Sequence, residues 1–334
     1  MKICGIIAEY NPFHKGHIYH LTKCKEITQA DCIVVIVSGY FSQRGLPSYL
    51  NKEDKTRLAL AYGADLVLEL PVCYAAQGAD FFAKYAIESL HELGIDSLCF
   101  GSETNDIAYL RSIEANDIDP STSYQRNNTF LKPNDILAAQ YIKYCDMYKI
   151  EPISTQRNDA FKSATQTRKD ALSSSQDFQE FFHTEENWNH LYPYLKMALL
   201  MTKPDMLSTF FLVNEGIEYR LIKNAKEHND FESFLNGCIS KTYSKARIQR
   251  TCLMILLQIT KKEMEINNHF SMCKVLGFNS IGQQVLKTRK DKNIYTKFNE
   301  LPDFIKEIDR KSRDLYNLIY DGELDDKKVV IYDC

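Results

Sequence analysis

The sequence predicts an α/β chain, with a parallel sheet in its first half and mainly helices in its second half. Short apolar, β-branched runs at residues 3–7, 32–37, 66–71 and 97–100 have the character of strands that are covered on both faces. Segments with helical spacing separate these runs, which is the pattern of parallel βαβ units. Beyond residue 172 helical periodicity replaces the strand runs.

Capping residues mark the expected helices. The first helix is predicted over residues 17–29. Asn51 is a typical N-cap with acidic residues following it, and Gly63 ends that helix. A further helix is expected over residues 79–93. Later in the chain, Pro133 occupies the favoured first position of another helix.

The loop after the first strand carries the residues best suited to catalysis. Residues 8–17 read Ala-Glu-Tyr-Asn-Pro-Phe-His-Lys-Gly-His and lead from the strand into the first helix. Pro12 forces an extended or turn conformation before it, and Gly16 allows a close approach of the backbone. A helix N-terminus suits an anion such as phosphate. The imidazoles of His14 and His17 can stabilise the charge that develops on such a group in a transition state.

A metal site is the alternative interpretation of the same loop. His14, His17 and His20 are three residues apart, which on a helix could gather a metal ion. We disfavour this interpretation because Pro12 and Phe13 are unsuited to a regular helix there. We also expect no cysteine, aspartate or glutamate at ligand spacing nearby. We therefore expect no resident metal ion.

Composition and charge narrow the class of protein. A hydrophobic share of 44% and a charged share of 25% are typical of a soluble globular protein. No apolar run is long enough to cross a membrane, and the N-terminus shows no signal-peptide pattern. The ten cysteines are scattered without a CxxC pair, so we expect a cytoplasmic protein with reduced, buried thiols. The net charge of −3 neither indicates nor excludes an RNA-binding surface.

A second candidate phosphate site follows in residues 163–168. Ser163 and Gln166 have the spacing of a capping box, so a helix is expected to begin there. Its free N–H groups, the hydroxyls of Ser163 and Thr165, and the guanidinium of Arg168 could bind a triphosphate together. The alternative is a plain helix cap with an exposed arginine, and the paired histidines favour the phosphate interpretation.

Two segments are candidates for contact with a nucleic acid or another substrate. Residues 241–250 contain no acidic residue, and their basic residues are Lys241, Lys245, Arg247 and Arg250, with Tyr243 among them. Such a segment can follow an RNA backbone and stack on a base, and a solvated helix face is the alternative. The loop at residues 38–47, which holds Gln43 and Arg44, lies at the end of a strand and could be a substrate loop or an ordinary surface loop. Residues 275–279 are expected to form a turn between helices.

These segments together resemble the bacterial tRNA(Met) cytidine acetate ligase family of the HxGH nucleotidylyltransferase superfamily. The matching motifs lie at residues 9–17, 38–45, 63–71, 100–103, 132–137, 163–168, 214–220, 247–250 and 275–279, so the resemblance runs nearly end to end. It implies a Rossmann-like nucleotidylyltransferase domain with a parallel sheet at residues 1–172. A mainly α-helical, tRNA-binding domain is implied at residues 173–334.

The resemblance also implies an activity. Members of the family activate acetate with ATP as acetyl-adenylate and then acetylate N4 of the wobble cytidine of elongator tRNA(Met). The expected substrates are therefore ATP, acetate and this tRNA, and Mg²⁺ is expected to accompany ATP. The alternatives are an adenylyltransferase acting on a small phosphorylated substrate and a non-enzymatic RNA-binding protein.

Site residues follow from the same resemblance. His14 and His17 are implied to be catalytic, and the residues implied to bind ATP are Ile7, Ala8, Glu9, Tyr10, Asn11, Pro12, Phe13, His14, Lys15, Gly16, His17, Ile18, Tyr19, His20, Gly101, Asn158 and Arg168. Ser163 and Thr165 are candidate phosphate contacts. The basic residues of 241–250 are candidate contacts for tRNA.

Overall fold

The structure is a computed structural model that describes residues 1–113, 132–157, 161, 167, 184–320, 324 and 328–332. Its strands are β1 (Ile3–Ala8), β2 (Cys32–Ser38), β3 (Leu66–Leu70), β4 (Ser97–Ser102), β5 (Glu151–Gln156), β6 (Cys273–Phe278), β7 (Ile294–Tyr295) and β8 (Val330–Ile331). The helices of the first half are α1 (Lys15–Thr28), α2 (Lys52–Ala61), α3 (Val72–Ala75), α4 (Ala79–Leu93), α5 (Ile107–Ser112) and α6 (Pro133–Tyr148). Those of the second half are α7 (Thr184–Met201), α8 (Pro204–Leu207), α9 (Ile217–Glu227), α10 (Phe231–Cys238), α11 (Lys245–Leu256), α12 (Lys261–Ile266), α13 (Ser280–Thr288) and α14 (Asp303–Asn317).

One sheet collects the strands in the order β5-β4-β1-β2-β3-β6-β7, and β8 also pairs with β6. Strands β1 to β5 are parallel, which confirms the predicted α/β class and its parallel βαβ units. Every residue of β2 is buried, because its side chains alternate between two hydrophobic cores, one on each face of the sheet. The second half of the chain is mainly helical, as expected.

The expected turn at residues 275–279 is wrong, because residues 275–278 lie in β6 and Asn279 is the N-cap of α13. This strand is antiparallel to β3, and its opposite edge pairs with β7 and β8. Two residues in β6 interrupt the apolar run that would predict a buried strand from the sequence. Lys274 is a buried cation within the strand, and Gly277 is required because a Cβ there would lie 2.6 Å from Thr56 and 2.7 Å from the carbonyl oxygen of Val330. Strands thus occur beyond residue 172. The domain boundary predicted at that residue lies outside the described residues and stays a prediction.

A buried cluster of four charges holds β6 and α14 to the first half of the sheet. Lys274 Nζ lies 2.6 Å from both Glu69 Oε2 and Asp309 Oδ1. Lys52 Nζ lies 3.2 Å and 2.9 Å from the same two atoms. Burial alone would raise the pKa of Asp309, but Lys274 and Lys52 outweigh burial and lower it to about 2. Asp309 therefore stays ionised. Lys52, Glu69, Lys274 and Asp309, called the charge cluster below, join elements that are far apart in sequence.

A cleft is expected between β1 and β4, where the strand order reverses. Strand β1 pairs with β2 along six positions, but with β4 only at Cys4–Ser97 and Gly5–Leu98. The two strands therefore separate toward their carboxyl ends, and the loops that follow them border the same space. Among the described residues, no helix has the length and apolar character needed to cross a membrane.

Candidate active site

The loop between β1 and α1 places two imidazoles at a helix N-terminus. The helix begins at Lys15 rather than at the predicted residue 17, because His14 is its N-cap. His14 Nδ1 accepts a hydrogen bond from the Gly16 N–H at 3.1 Å, and His17 Nδ1 accepts one from the His14 N–H at 3.2 Å. This is the reciprocal pattern of a capping box, built from two histidines in place of Ser/Thr and Glu.

Both imidazoles can donate to a ligand through Nε2. Because each Nδ1 accepts a backbone hydrogen bond, the proton of each neutral ring lies on Nε2. The two rings stack with their centroids 3.8 Å apart. Burial lowers the pKa of His17 well below its usual value, and the neighbouring His14, His20 and Arg157 lower it further. The site thus presents an uncharged N–H donor beside the positive end of the α1 dipole, an arrangement suited to phosphate oxygens.

Aromatic packing fixes the loop that carries these histidines. Tyr10 is buried and packs edge-on against Phe13 and His17, each at a centroid distance of 4.8 Å. The Asn11–Pro12 peptide bond is cis, and Asn11 Oδ1 accepts a hydrogen bond from the Tyr49 N–H at 2.8 Å. The loop is therefore anchored both within itself and to the loop that follows β2.

A hydrogen bond from Gln43 joins the loop after β2 to the loop between β1 and α1. The Gln43 N–H donates to Glu9 Oε1 at 2.5 Å, and Gln43 Nε2 donates to the Gln77 carbonyl at 3.0 Å. Arg44 is exposed immediately beside it. The sequence placed this loop at the end of a strand but offered no sign that Gln43 contacts Glu9, because a backbone donor carries no sequence signature.

The loop after β4 is organised by a carboxylate that sequence reasoning did not assign. Asp135 accepts hydrogen bonds from the Ser102 and Thr104 hydroxyls, both at 2.6 Å, and from the N–H groups of Glu103 and Thr104. Burial raises the pKa of Asp135, but these hydrogen bonds outweigh burial and lower it overall. Among the described residues, no atom lies within 4 Å of the position of a side chain at Gly101. The carboxylate thus supports the loop that follows β4, and Gly101, near the end of that strand, borders open space among the described residues. The available signal was Asp135 in the first turn after Pro133.

Part of the expected site falls outside the described residues. Asn158, Ser163, Thr165 and Arg168 belong to that part, so their proposed contacts with ATP stay predictions. Phe161 is described nearby, with its ring 5.4 Å from that of Tyr19 on α1. The chain after β5 therefore returns to the start of α1, the region where the phosphate interpretation requires it.

The expectation that all cysteines are reduced is wrong for one pair, because Cys24 on α1 and Cys99 on β4 form a disulfide. The helix lies on β4 with the two Cα atoms 6.0 Å apart, although 75 positions separate the residues in sequence. Cys24 also follows His20 by one helical turn, so the expectation that no cysteine lies at ligand spacing nearby is wrong. The other described cysteines are free and buried.

The basic segment lies at the start of α11. Ser244 caps this helix, and Lys241 and Lys245 are exposed. The expectation that Tyr243 stacks on a base is wrong, because Tyr243 is buried and its hydroxyl donates to the Asn214 carbonyl at 2.6 Å. Arg247 lies over the Tyr243 ring, 4.0 Å from its centroid, so it serves packing in part.

This basic segment meets the loop after β2. Gly45 has a φ of +76°, and a Cβ there would lie 3.0 Å from the backbone nitrogen of Arg250. Trp188 Nε1 donates to the Gly45 carbonyl at 3.1 Å. Burial lowers the pKa of Arg250 to about 10, with Arg247 and Arg44 acting in the same direction. Within the described part of the chain, neither Arg44 nor Arg250 pairs with a carboxylate. Residues 38–47 and residues 241–250 therefore form one basic surface. We call it the arginine surface, and its basic residues are Arg44, Lys241, Lys245, Arg247 and Arg250.

Comparison with known proteins accords with this geometry. The model of the family described as HIGH Nucleotidyl Transferase matches residues 1–128 and 116–329. The tRNA(Met) cytidine acetate ligase of Limosilactobacillus reuteri is 33% identical over 369 residues, which cover 97% of this chain and 98% of the relative. The ligase of the same name from Acetivibrio thermocellus is 30% identical over 377 residues, covering 92% and 90%.

A solved structure has the same fold. Thermotoga maritima TmcAL bound with alpha-thio ATP is 24% identical, with a TM-score of 0.83 and coverage of 96% of this chain and 95% of that chain. The apo form of the same protein gives a TM-score of 0.85. From the family match and the near full-length relatives together, the chain belongs to the HIGH nucleotidyl transferases and, among them, to the tRNA(Met) cytidine acetate ligase family.

Proposed function

We propose that the chain is an ATP-dependent ligase that forms acetyl-adenylate from acetate and then acetylates N4 of the wobble cytidine of elongator tRNA(Met). The observation that carries this proposal is the pair of stacked imidazoles of His14 and His17 at the N-terminus of α1, beside the cleft between β1 and β4. The cytoplasm, where ATP and tRNA are both present, is the location that belongs to this proposal. Residues 1–172 would hold the nucleotide and residues 173–334 most of the tRNA surface.

In the first step, an acetate oxygen attacks the α-phosphorus of ATP. The new bond joins acetate to phosphorus, and the bond to pyrophosphate breaks. Charge on the phosphoryl oxygens is stabilised by the Nε2–H groups of His14 and His17 and by the positive end of the α1 dipole. Because both donors are already fixed through their Nδ1 atoms, little reorganisation is needed as the charge moves.

Magnesium belongs to this proposal as an ion that accompanies ATP. The carboxylates of Glu9 and Glu103 lie in the two loops that border the cleft, and both already accept hydrogen bonds. Mg²⁺ commonly binds through substrate phosphates and retains several waters. The described residues therefore fit an ion held by the triphosphate better than one held by a protein cage.

In the second step, N4 of the cytidine attacks the acetyl carbonyl carbon, and AMP leaves. The arginine surface joins the catalytic loop through Gln43 and Glu9, so an RNA strand held there would lie beside the adenylate. This continuity supports tRNA as the acceptor rather than a small phosphorylated molecule, which would need no such surface.

Exchange of labelled pyrophosphate into ATP tests the first step. We expect exchange that depends on acetate, followed by transfer of labelled acetate to tRNA(Met). Exchange that requires a different acceptor would indicate an adenylyltransferase for a small substrate. A folded protein that binds tRNA but catalyses no exchange with any acid would indicate a non-enzymatic RNA-binding protein.

A further inference from the structure

The sulfur atoms of Cys24 and Cys99, which lie beside His20, are not used in either step of the proposed reaction. The two cysteines are bonded to each other, and both are fully buried. His20 Nε2 lies 3.3 Å from Cys24 Sγ. The ligating atoms of the three side chains all lie within 4.8 Å of one another. A titratable group thus faces a pair of sulfur atoms that can exist in two oxidation states.

The disulfide joins α1 to β4, two elements that border the proposed nucleotide cleft. Cys24 belongs to the helix that begins beside His14, and Cys99 precedes Gly101 by two residues on β4. Because β1 and β4 pair at only two positions, few backbone hydrogen bonds tie the two sides of the cleft together. The covalent bond adds a direct link from α1 to β4.

We propose that Cys24 and Cys99 are a reversible disulfide site that couples the oxidation state of the protein to its affinity for ATP. The inference rests on the proposed function, since ATP is taken as the ligand of the cleft. In the oxidised protein the bond fixes α1 relative to β4 before ATP binds. In the reduced protein α1 can move relative to β4, and this motion must be lost when ATP binds. The entropy lost in this way weakens the affinity for ATP.

A peroxide is the class of oxidant that the small, enclosed site suits. The Cys24 sulfur attacks one peroxide oxygen and the O–O bond breaks. The thiol proton passes to the departing oxygen, so one water leaves as a sulfenic acid forms. Cys99 sulfur then attacks Cys24 sulfur and the second water leaves, so two thiols lose two electrons and hydrogen peroxide becomes two waters. Burial lowers the pKa of His20 to about 4, so the ring is neutral and faces Cys24 Sγ as an uncharged hydrogen-bond partner at 3.3 Å. A dithiol reductant returns two electrons and two protons.

The test compares the full chain after treatment with hydrogen peroxide and after treatment with a dithiol. Alkylation and mass spectrometry report the state of Cys24 and Cys99, and calorimetry reports ATP affinity. We expect the oxidised protein to bind ATP roughly fivefold more tightly, at the lower end of typical coupling between two sites. By reciprocity, ATP should lower the midpoint potential of the pair by about 21 mV, since a tenfold change corresponds to 29.6 mV for a two-electron couple.

Variants separate this coupling from other effects of oxidation. Cys24→Ala and Cys99→Ala should each bind ATP like the reduced parent, whatever the treatment. Cys145→Ala removes a buried free thiol on α6 and should keep the full response. The reduced parent supplies the comparison even if an alanine variant fails to fold.

Several outcomes would overturn the inference. Failure of peroxide to form the bond would do so, as would equal ATP affinity of the verified oxidised and reduced proteins. Stoichiometric Zn²⁺ binding by the reduced protein that blocks oxidation would show a metal site instead. ATP binding to neither state would contradict the proposed function as well, whereas equal binding to both contradicts only the coupling.

Discussion

The backbone N–H of Gln43 donates to the Glu9 carboxylate, so the loop after β2 is bound directly to the loop that carries His14 and His17. The side-chain amide of Gln43 extends the link to the Gln77 carbonyl at 3.0 Å. Through Gly45 the same loop contacts α11. One short loop thus touches both the proposed adenylation site and the arginine surface.

Replacing the Gln43 side chain should affect acetyl transfer more than adenylation. Gln43→Ala removes one hydrogen bond, worth about 1 kcal/mol, or roughly fivefold. We expect KM for tRNA to rise by about that factor. Gln283→Ala, on the exposed face of α13, is the matched control and should change neither step. Equal losses in pyrophosphate exchange and in transfer would contradict a role of Gln43 between the two sites.

Removing the Nε2 donor of His17 should abolish most of the adenylation rate. His17→Asn keeps an oxygen that can accept the His14 N–H but presents no donor at the Nε2 position. We expect a loss of roughly two to three orders of magnitude in pyrophosphate exchange, as for a single oxyanion donor. The thermal midpoint should stay near that of the parent, because the cap is retained. A folded variant with normal exchange would exclude His17 from the chemistry.

The depressed histidine pKa values predict a loss of stability in mild acid. His20 has a folded pKa of about 4 because of burial, whereas the unfolded residue titrates near the ordinary histidine pKa of 6.5. Between these two values the unfolded chain binds more protons, so stability falls as pH falls through this range. The full contribution is at most ~3 kcal/mol and smaller for a half-buried ring. Urea unfolding at pH 7.5 and pH 5 should show this loss, and His20→Asn should reduce it. An identical pH dependence in parent and variant would refute the assignment.

The arginine surface should show itself in salt dependence. Arg44→Ala combined with Lys245→Ala removes two exposed cations without touching the packing of Arg247. The slope of log affinity for tRNA against log salt should fall by roughly 0.7 to 0.9 for each phosphate that the variant no longer neutralises. Acetate-dependent pyrophosphate exchange should not change. Lys287→Ala on α13 is the control, and an unchanged slope in the double variant would make this surface an ordinary solvated face.

The charge cluster predicts a large difference between a buried and an exposed ion pair. Lys274→Met leaves Glu69 and Asp309 buried with Lys52 as their remaining cation, and such a change typically costs about 3 to 5 kcal/mol. Lys297→Met breaks the exposed pair with Glu300 and should cost about 0 to 1 kcal/mol. Denaturant unfolding measures both. Similar losses of unfolding free energy in the two variants would show that burial does not determine how much the charge cluster contributes to stability.

The sequence was most informative where a local pattern determines local structure. The apolar runs predicted β1 to β4, and the order of Pro12, His14, Gly16 and His17 predicted the turn into α1. Sequence reasoning was least informative where distant segments meet. Cys24 and Cys99, the Asp135 carboxylate and the contact of Gly45 with Arg250 depend on how the helices lie on the sheet, which no spacing along the chain records.

Strand β6 was not predicted from the sequence for a different reason. Lys274 would be unfavourable in a buried strand by itself, but Glu69 and Asp309 neutralise it there. For Tyr243, the sequence predicted an exposed ring and the structure shows a buried one. An aromatic residue among cations is typical of a stacking platform, but here the ring is buried and supports Arg247.

The late position of β6 has a consequence for synthesis of the chain. Strand β3 ends at Leu70, and the strand that covers its free edge begins only at Cys273. At ribosomal rates of about 5 to 20 residues per second, β3 waits roughly 10 to 40 s for its neighbour. During that interval the nascent chain exposes an apolar strand edge, together with a Glu69 that lacks Lys274. Fragments that stop before β6 should therefore depend on chaperones or aggregate.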